Sequence, residues 1–115
     1  MDVTSKVKAV REAYPNLKLR LHLHNTRNTG LANAWAGFES GVKHFDASLG
    51  GVGGCPFAPK ATGNIPTEDL VYLFSRSGIK TNICLDQAIE TAKWLEQELE
   101  HPIPGLVMKS GGFPR

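Results

Sequence analysis

The chain has 115 residues, 41% of them hydrophobic, and a formal net charge of +2 from 13 basic and 11 acidic side chains. That length suits one domain or part of one, burying roughly two-thirds of the surface that the unfolded chain exposes. The charges form neither a basic stripe nor an acidic tail, so no nucleic-acid partner is expected. No apolar run nears the ~20 residues of a membrane-spanning helix, so no membrane association is expected either.

Val3, Val7, Val10 and Tyr14 recur at helical spacing, and Pro15 ends that helix. In LKLRLHLHN, Leu17, Leu19, Leu21 and Leu23 alternate with Lys18, Arg20, His22 and His24, a period of two that predicts a strand. Thr29 is placed to cap a second helix whose apolar face is Leu31, Ala34, Trp35 and Phe38, with Gly41 closing it. VKHFDASLG predicts a second strand, with Phe45, Ala47 and Leu49 on one face and His44, Asp46 and Ser48 on the other. The glycine-rich LGGVGGCPFAPKATGN follows. Thr67 is placed to cap a third helix, with Glu68 and Asp69 in the first turn where carboxylates suit the helix dipole, and Gly78 closes it. Asp86 opens a fourth helix whose buried stripe is Ala88, Ile89, Ala92, Leu95 and Leu99. The tail HPIPGLVMKSGGFPR reads as irregular. This alternation is the rhythm of an α/β fold with parallel strands. Two strands alone make a poor sheet, which points to a piece of something larger.

His22 and His24, two apart on a strand, face the same side roughly 6.5 Å apart along it. Such a pair could converge on one divalent ion. The plainer reading is a strand with one polar face, since Lys18 and Arg20 share it. The following HNTRNTG is turn chemistry at a strand's carboxyl end, where α/β sheets and barrels place their active sites. The second strand runs into the glycine loop at the equivalent place, which brings Cys55 toward the histidines. A tight turn needs one or two glycines. Gly50, Gly51, Gly53 and Gly54 exceed that, which favours a mobile or ligand-hugging loop. Cys55 is a candidate acid, base or nucleophile. Cys84, between Ile83 and Leu85, fits a buried small hydrophobe. Two cysteines are too few for a disulfide scaffold, and MDVTSKVKAV lacks a signal-peptide core, so a reducing, cytoplasmic setting is expected. Asn64 is placed either to cap the next helix or to offer an amide oxygen to a metal. An oxygen ligand beside the two imidazoles suits magnesium or manganese, whereas a thiolate in place of the amide favours zinc.

Taken together, HLHNTRNTGLAN, FDASLGGVGGCPFAPKATGN and TEDLVYLF resemble the carboxyl-terminal part of the 3-hydroxy-3-methylglutaryl-CoA lyases. These belong to the metal-dependent lyases and condensing enzymes built on TIM barrels. The likeness runs from about Leu17 to Leu85, and PIPGLVMKSGGFP suits the bacterial-type branch. The resemblance implies that residues 1–115 form one lyase-like or pyruvate-carboxyltransferase-like domain piece: the last two strands of a (β/α)8 barrel with their helices, an incomplete barrel. It implies His22, His24 and Asn64 as ligands of Mg²⁺ or Mn²⁺, with His22 also assisting proton transfer. Cys55 would sit on a loop that closes over an acyl-CoA substrate and protonates the departing acetyl-CoA enolate. Gly53, Gly54 and Asn25 would line the substrate, with Glu68, Asp46 and Ser48 supporting the site. The implied reaction cleaves 3-hydroxy-3-methylglutaryl-CoA to acetyl-CoA and acetoacetate.

Asn25 stands where many relatives have Asp. Asn28 and Lys60 replace small residues, and Asn28 suits a left-handed turn. A complete barrel needs about 250 residues, and the resemblance places a metal-binding aspartate and a catalytic arginine on a first strand that this sequence lacks. The isolated chain is therefore expected to be inactive, needing an amino-terminal barrel segment or self-association. Two other readings stand: an aldol-type condensing enzyme or carboxyltransferase on the same barrel, or a non-catalytic half-barrel that binds metal or a partner chain.

Overall fold

The computed structural model describes residues 2–54 and 63–113. Helix α1 (Asp2–Ala13) leads to strand β1 (Arg20–His22), helix α2 (Gly30–Glu39) and strand β2 (His44–Asp46). A single 3₁₀ turn (Leu49–Gly51) is followed by α3 (Thr67–Arg76), α4 (Leu85–Leu99) and the short α5 (Val107–Ser110). The two strands are parallel, with Arg20 beside His44, Leu21 beside Phe45 and His22 beside Asp46. Parallel neighbours need a crossover, and α2 supplies it.

Both strands are shorter than their alternating patterns predict. A ladder exists only where a neighbour accepts it, and among the described residues each strand has one neighbour. The alternation itself is realised beyond the ladder. Leu23, Phe45 and Ala47 pack on the helical side, against a cluster of Ala34, Ile65, Leu70 and Phe74. The ring of Phe74 is the centre of that cluster. Its centroid lies 5.4 Å from Phe38, 5.5 Å from Phe45 and 6.3 Å from Trp35, tilted against each, as aromatic quadrupoles prefer. Gly37 sits where α2 crosses β1, and a Cβ there would run into the Leu21 side chain.

Several helix details differ from the sequence reading. Thr67 is the first residue of α3 rather than its cap; Pro66 holds the cap position, and its fixed φ suits the entry to a helix. Thr29 does stand at the cap of α2 but makes no capping bond. The side-chain oxygen of Asn25 accepts the Gly30 N–H instead, at 3.0 Å. Helix α4 opens at Leu85, with Cys84 at the cap. Cys84 is exposed, not buried: a residue at a helix entry faces solvent here, as does its neighbour Ile83. The α4 stripe holds at Ala88, Ile89 and Ala92, but Leu99 at its end is exposed. In α1, Val7 is buried while Val10 and Tyr14 are not.

The tail is not irregular. Asp69 accepts the Leu106 and Val107 N–H groups at 3.2 and 2.8 Å, which nucleates α5. Glu96 accepts the Ile103 N–H at 3.0 Å, and the Lys109 ammonium donates to the Ile103 carbonyl at 2.8 Å. Ile103 and Met108 are buried with Ala92, against Leu49 and Val52. Asp69 lies far from the tail in sequence, so proline and glycine content alone concealed its bonds.

Truncating Phe74 to Ala should cost about 3–5 kcal/mol, because it deletes a ring that no neighbour can replace. The exposed Trp94→Ala should stay within about 0.5 kcal/mol of wild type. Urea denaturation of both variants checks the pair.

Candidate active site and family

One short segment, residues 63 to 66, crosses the carboxyl ends of both strands and builds the site. On one side it pairs antiparallel with the extension of β1: the Asn25 N–H donates to the Gly63 carbonyl and the Ile65 N–H to the Leu23 carbonyl, each at 3.2 Å. His24 and Asn64 stand directly opposite each other between those bonds. That is the close, non-hydrogen-bonded kind of pair, in which facing side chains emerge on one side. On the other side it pairs in parallel with the extension of β2, at Ser48 and Pro66. The Ser48 N–H donates to the Ile65 carbonyl and the Thr67 N–H to the Ser48 carbonyl, at 3.1 and 2.8 Å.

His22 and His24 share a face. Their Nε2 atoms lie 3.3 Å apart and their rings meet edge to face. His22 Nδ1 lies 3.3 Å from Asp46 Oδ2, across the register, and a carboxylate only accepts, so Nδ1 carries the proton. Neutral His22 therefore keeps its lone pair on Nε2. That lone pair can accept from His24, or the two Nε2 lone pairs can face one cation. Asp46 Oδ1 also pairs with Arg20 at 3.2 Å. All three side chains are substantially exposed, so the network orients His22 rather than stabilising the fold.

Asn64 does not cap α3. Its Nδ2 donates to the Val52 carbonyl at 3.1 Å. Its Oδ1 is buried and has no hydrogen-bond partner among the described residues. Buried polar atoms are nearly always satisfied, and an orphaned amide oxygen on the residue opposite His24 fits a hard cation. No group of three His, Cys, Asp or Glu side chains gathers at metal-holding distance among the described residues.

The 3₁₀ turn is held from below. Glu68 is fully buried, and both its carboxylate oxygens accept the Gly50 N–H, each at 3.0 Å. Burial raises the Glu68 pKa above its ordinary 4.5; the bonds from the Gly50 and Glu68 amides oppose this, and the nearby Asp69 carboxylate adds to the rise. Gly50, Gly51 and Gly53 all take positive φ. Gly50 and Gly51 belong to the turn and Gly53 follows it, so backbone geometry alone calls for glycine at three of the four positions. The expected position of Asn28 in a left-handed turn is found, at φ 57°.

Of the residues singled out from sequence, the fold gathers His22, His24, Asn64, Asp46 and Ser48 around the two strand ends. Asn25 lies next to them with its oxygen committed to α2, and Gly53 and Gly54 follow the turn, exposed. Cys55 and Lys60 lie outside the described residues. Sequence reasoning missed the Val52 carbonyl, a backbone atom that leaves no signal. It also missed the Arg20–Asp46 pair, which follows from same-face spacing only once the register is known.

A family model described as HMGL-like matches residues 1–95. The chain belongs to the HMGL-like family. It is 50% identical to an (R)-citramalyl-CoA lyase of Chloroflexus aurantiacus over 96% of its own length and 35% of the relative's. It is 41% identical to the hydroxymethylglutaryl-CoA lyase YngG of Bacillus subtilis, over 90% of this chain and 34% of that one. Among solved structures, an HMG-CoA lyase from Acenitobacter baumannii in complex with coenzyme A and 3-methylmalate superposes with a TM-score of 0.90 at 44% identity. That match covers 98% of this chain and 38% of the other. The α/β fold thus matches HMG-CoA lyase barrel structures in part, and the chain spans about a third of the length of the relatives it matches. The expected carboxyl-terminal placement within the barrel rests on the motif resemblance alone.

Two outcomes follow for Glu68. A buried carboxyl with a raised folded pKa favours the folded state at low pH, and that advantage is lost as pH rises from about 4.5 through the folded value. Glu68→Gln should flatten this term, so the stability of wild type relative to the variant should fall between pH 4 and pH 8 in urea titrations. Glu68→Ala should cost about 1–3 kcal/mol or more at neutral pH, since it leaves the buried Gly50 N–H without an acceptor.

Proposed function

We propose that this chain forms part of the active site of a divalent-metal-dependent carbon–carbon lyase acting on a tertiary 3-hydroxyacyl-CoA thioester. The observation that carries the reading is the buried Oδ1 of Asn64, without a partner among the described residues, on the residue opposite His24, with the His22 and His24 Nε2 atoms 3.3 Å apart. His22 and His24, through Nε2, and Asn64, through Oδ1, would hold Mg²⁺ or Mn²⁺. When bound, the ion supplies Lewis-acid polarisation of the substrate hydroxyl and orients its oxygens.

The remaining work falls to the chain's own residues. Asp46 keeps the His22 proton on Nδ1, leaving Nε2 as the donor atom. With Nε2 given to the cation and Nδ1 already protonated, His22 serves as a ligand, and the hydroxyl proton passes to a base outside this pair as the carbon–carbon bond breaks. Cys55, next in sequence after Gly53 and Gly54, would deliver a proton to the acetyl-CoA enolate, and the lack of side chains on those two glycines lets backbone approach the thioester. Glu68 fixes the turn from which the loop departs. With 3-hydroxy-3-methylglutaryl-CoA the products are acetyl-CoA and acetoacetate.

A second substrate has its own support, the 50% identity to an (R)-citramalyl-CoA lyase. Citramalyl-CoA also carries a tertiary hydroxyl, a methyl group and a free carboxylate, and is one methylene shorter. The same bond cleavage gives acetyl-CoA and pyruvate. One methylene is worth roughly 10–200-fold in discrimination, so the two readings separate kinetically.

The rest of the barrel comes from elsewhere in a longer chain or from an associated one. The test is therefore a chimera in which this chain replaces the matching third of the Bacillus subtilis relative. With Mn²⁺, the chimera should release acetyl-CoA from one of the two thioesters, while the isolated chain does not. His22→Ala and Cys55→Ala should each lower kcat by about 10²-fold or more. A folded chimera that cleaves neither thioester, or loses nothing on these substitutions, overturns the proposal. Asp46→Ala should weaken Mn²⁺ binding about 10–100-fold with the fold intact, as followed by calorimetry.

A further inference from the structure

The metal reading leaves open why residue 64 offers a neutral amide where a carboxylate would attract a cation more strongly. The structure supplies a reason in the Val52 carbonyl. It accepts two hydrogen bonds, from Ser48 Oγ at 2.6 Å and from Asn64 Nδ2 at 3.1 Å. Ser48 is itself fixed: its N–H and carbonyl are bound to the crossing segment, and its carbonyl also accepts the Gly51 N–H at 3.0 Å. Gly53, with φ at 97°, lies so close that a Cβ on it would stand 3.0 Å from Asn64 Nδ2. Gly63 lies so close to the turn that a Cβ on it would collide with the Gly51 carbonyl. The turn and the amide are therefore built to touch.

A carbonyl oxygen at hydrogen-bond distance accepts and cannot donate. It attracts the NH₂ end of the residue 64 side chain and repels an oxygen. With the nitrogen so committed, the planar amide directs Oδ1 away from Val52, and this is the buried atom without a partner. A carboxylate in the same place would set one oxygen against the Val52 carbonyl.

We propose that the Val52 carbonyl, held by the Ser48 hydroxyl, selects an amide at residue 64 and turns its oxygen toward the histidine pair, making Ser48 a positioning residue. The inference rests on the metal reading above and deepens it. Two neutral imidazoles and a neutral amide subtract nothing from the charge of a bound dication. These three groups therefore leave more of its charge for the substrate oxygens than a carboxylate at residue 64 would.

The test uses the ¹⁵N-labelled chain with Mn²⁺ as the probe. In the metal-free wild type, one Asn64 δ2 proton should be shifted downfield and protected from exchange. Ser48→Val should speed that exchange, and Ser48→Thr, which keeps the hydroxyl, should restore the wild-type rate. Asn64→Asp should bind Mn²⁺ about tenfold more weakly than wild type despite its added charge, near the level of Asn64→Ala. The amide spectra of the variants establish that each is folded. Asn64→Asp binding Mn²⁺ as tightly as wild type overturns the proposal, as do Asn64 δ2 protons that exchange as freely as those of an exposed asparagine. A wild-type chain with protected δ2 protons and no affinity for Mn²⁺ defeats the metal reading and leaves the amide's orientation established.

Discussion

The bond from the Gly50 N–H to the buried Glu68 carboxylate ties the structure together. It joins the end of β2 to the start of α3 and fixes the 3₁₀ turn at a height that lets the crossing segment pass beneath Val52. A carboxylate without solvent is costly unless it is well bonded, and here burial does raise its pKa. The neighbouring Asp69 spends its oxygens on the first amides of α5. Two adjacent acids in one helical turn therefore anchor the turn and the tail, rather than merely complementing the helix dipole. The tail returns the support, since the Gly105 N–H donates to the Gly50 carbonyl at 2.8 Å.

The sheet is small and two-sided in character. Leu21, Leu23, Phe45 and Ala47 face the helices. Arg20, His22 and His24 face the other way with His44, Asp46 and Ser48. In the HMG-CoA lyase structures that this chain partly matches, two-thirds of the molecule lies beyond the part matched here. A polar face of this kind suits the interior of a barrel mouth, where side chains hold ligands rather than pack a core. The exposure of Arg20 and His22 in this chain is consistent with a face meant to be covered.

Much of this was legible in the residues. Period-two alternation named both strands and sorted their faces, because a pleated backbone sends successive side chains to opposite sides. It placed His22 beside His24 correctly. The Gly-Asn step marked the segment that pairs with the extensions of both strands. The pattern did not reveal why the glycines are there: three serve positive φ. The α3 cap was misjudged by a residue, since Pro66 holds it, and at α2 Thr29 has the cap position while Asn25 makes the bond. Burial of α1 and of Cys84 was overestimated, since an apolar spacing says which face could be covered and not whether anything covers it.

By itself the sequence determined the α/β rhythm, the polar and apolar faces of each strand and the pairing of two imidazoles. All of these are local, set by backbone periodicity and near neighbours. Only the tertiary structure decided what Asn64 does. Its opposition to His24, the commitment of its nitrogen to Val52 and the orphaning of its oxygen depend on contacts between segments up to 40 residues apart in sequence. Those contacts form because backbone amides at a strand's end must find partners somewhere, and the crossing segment is what supplies them.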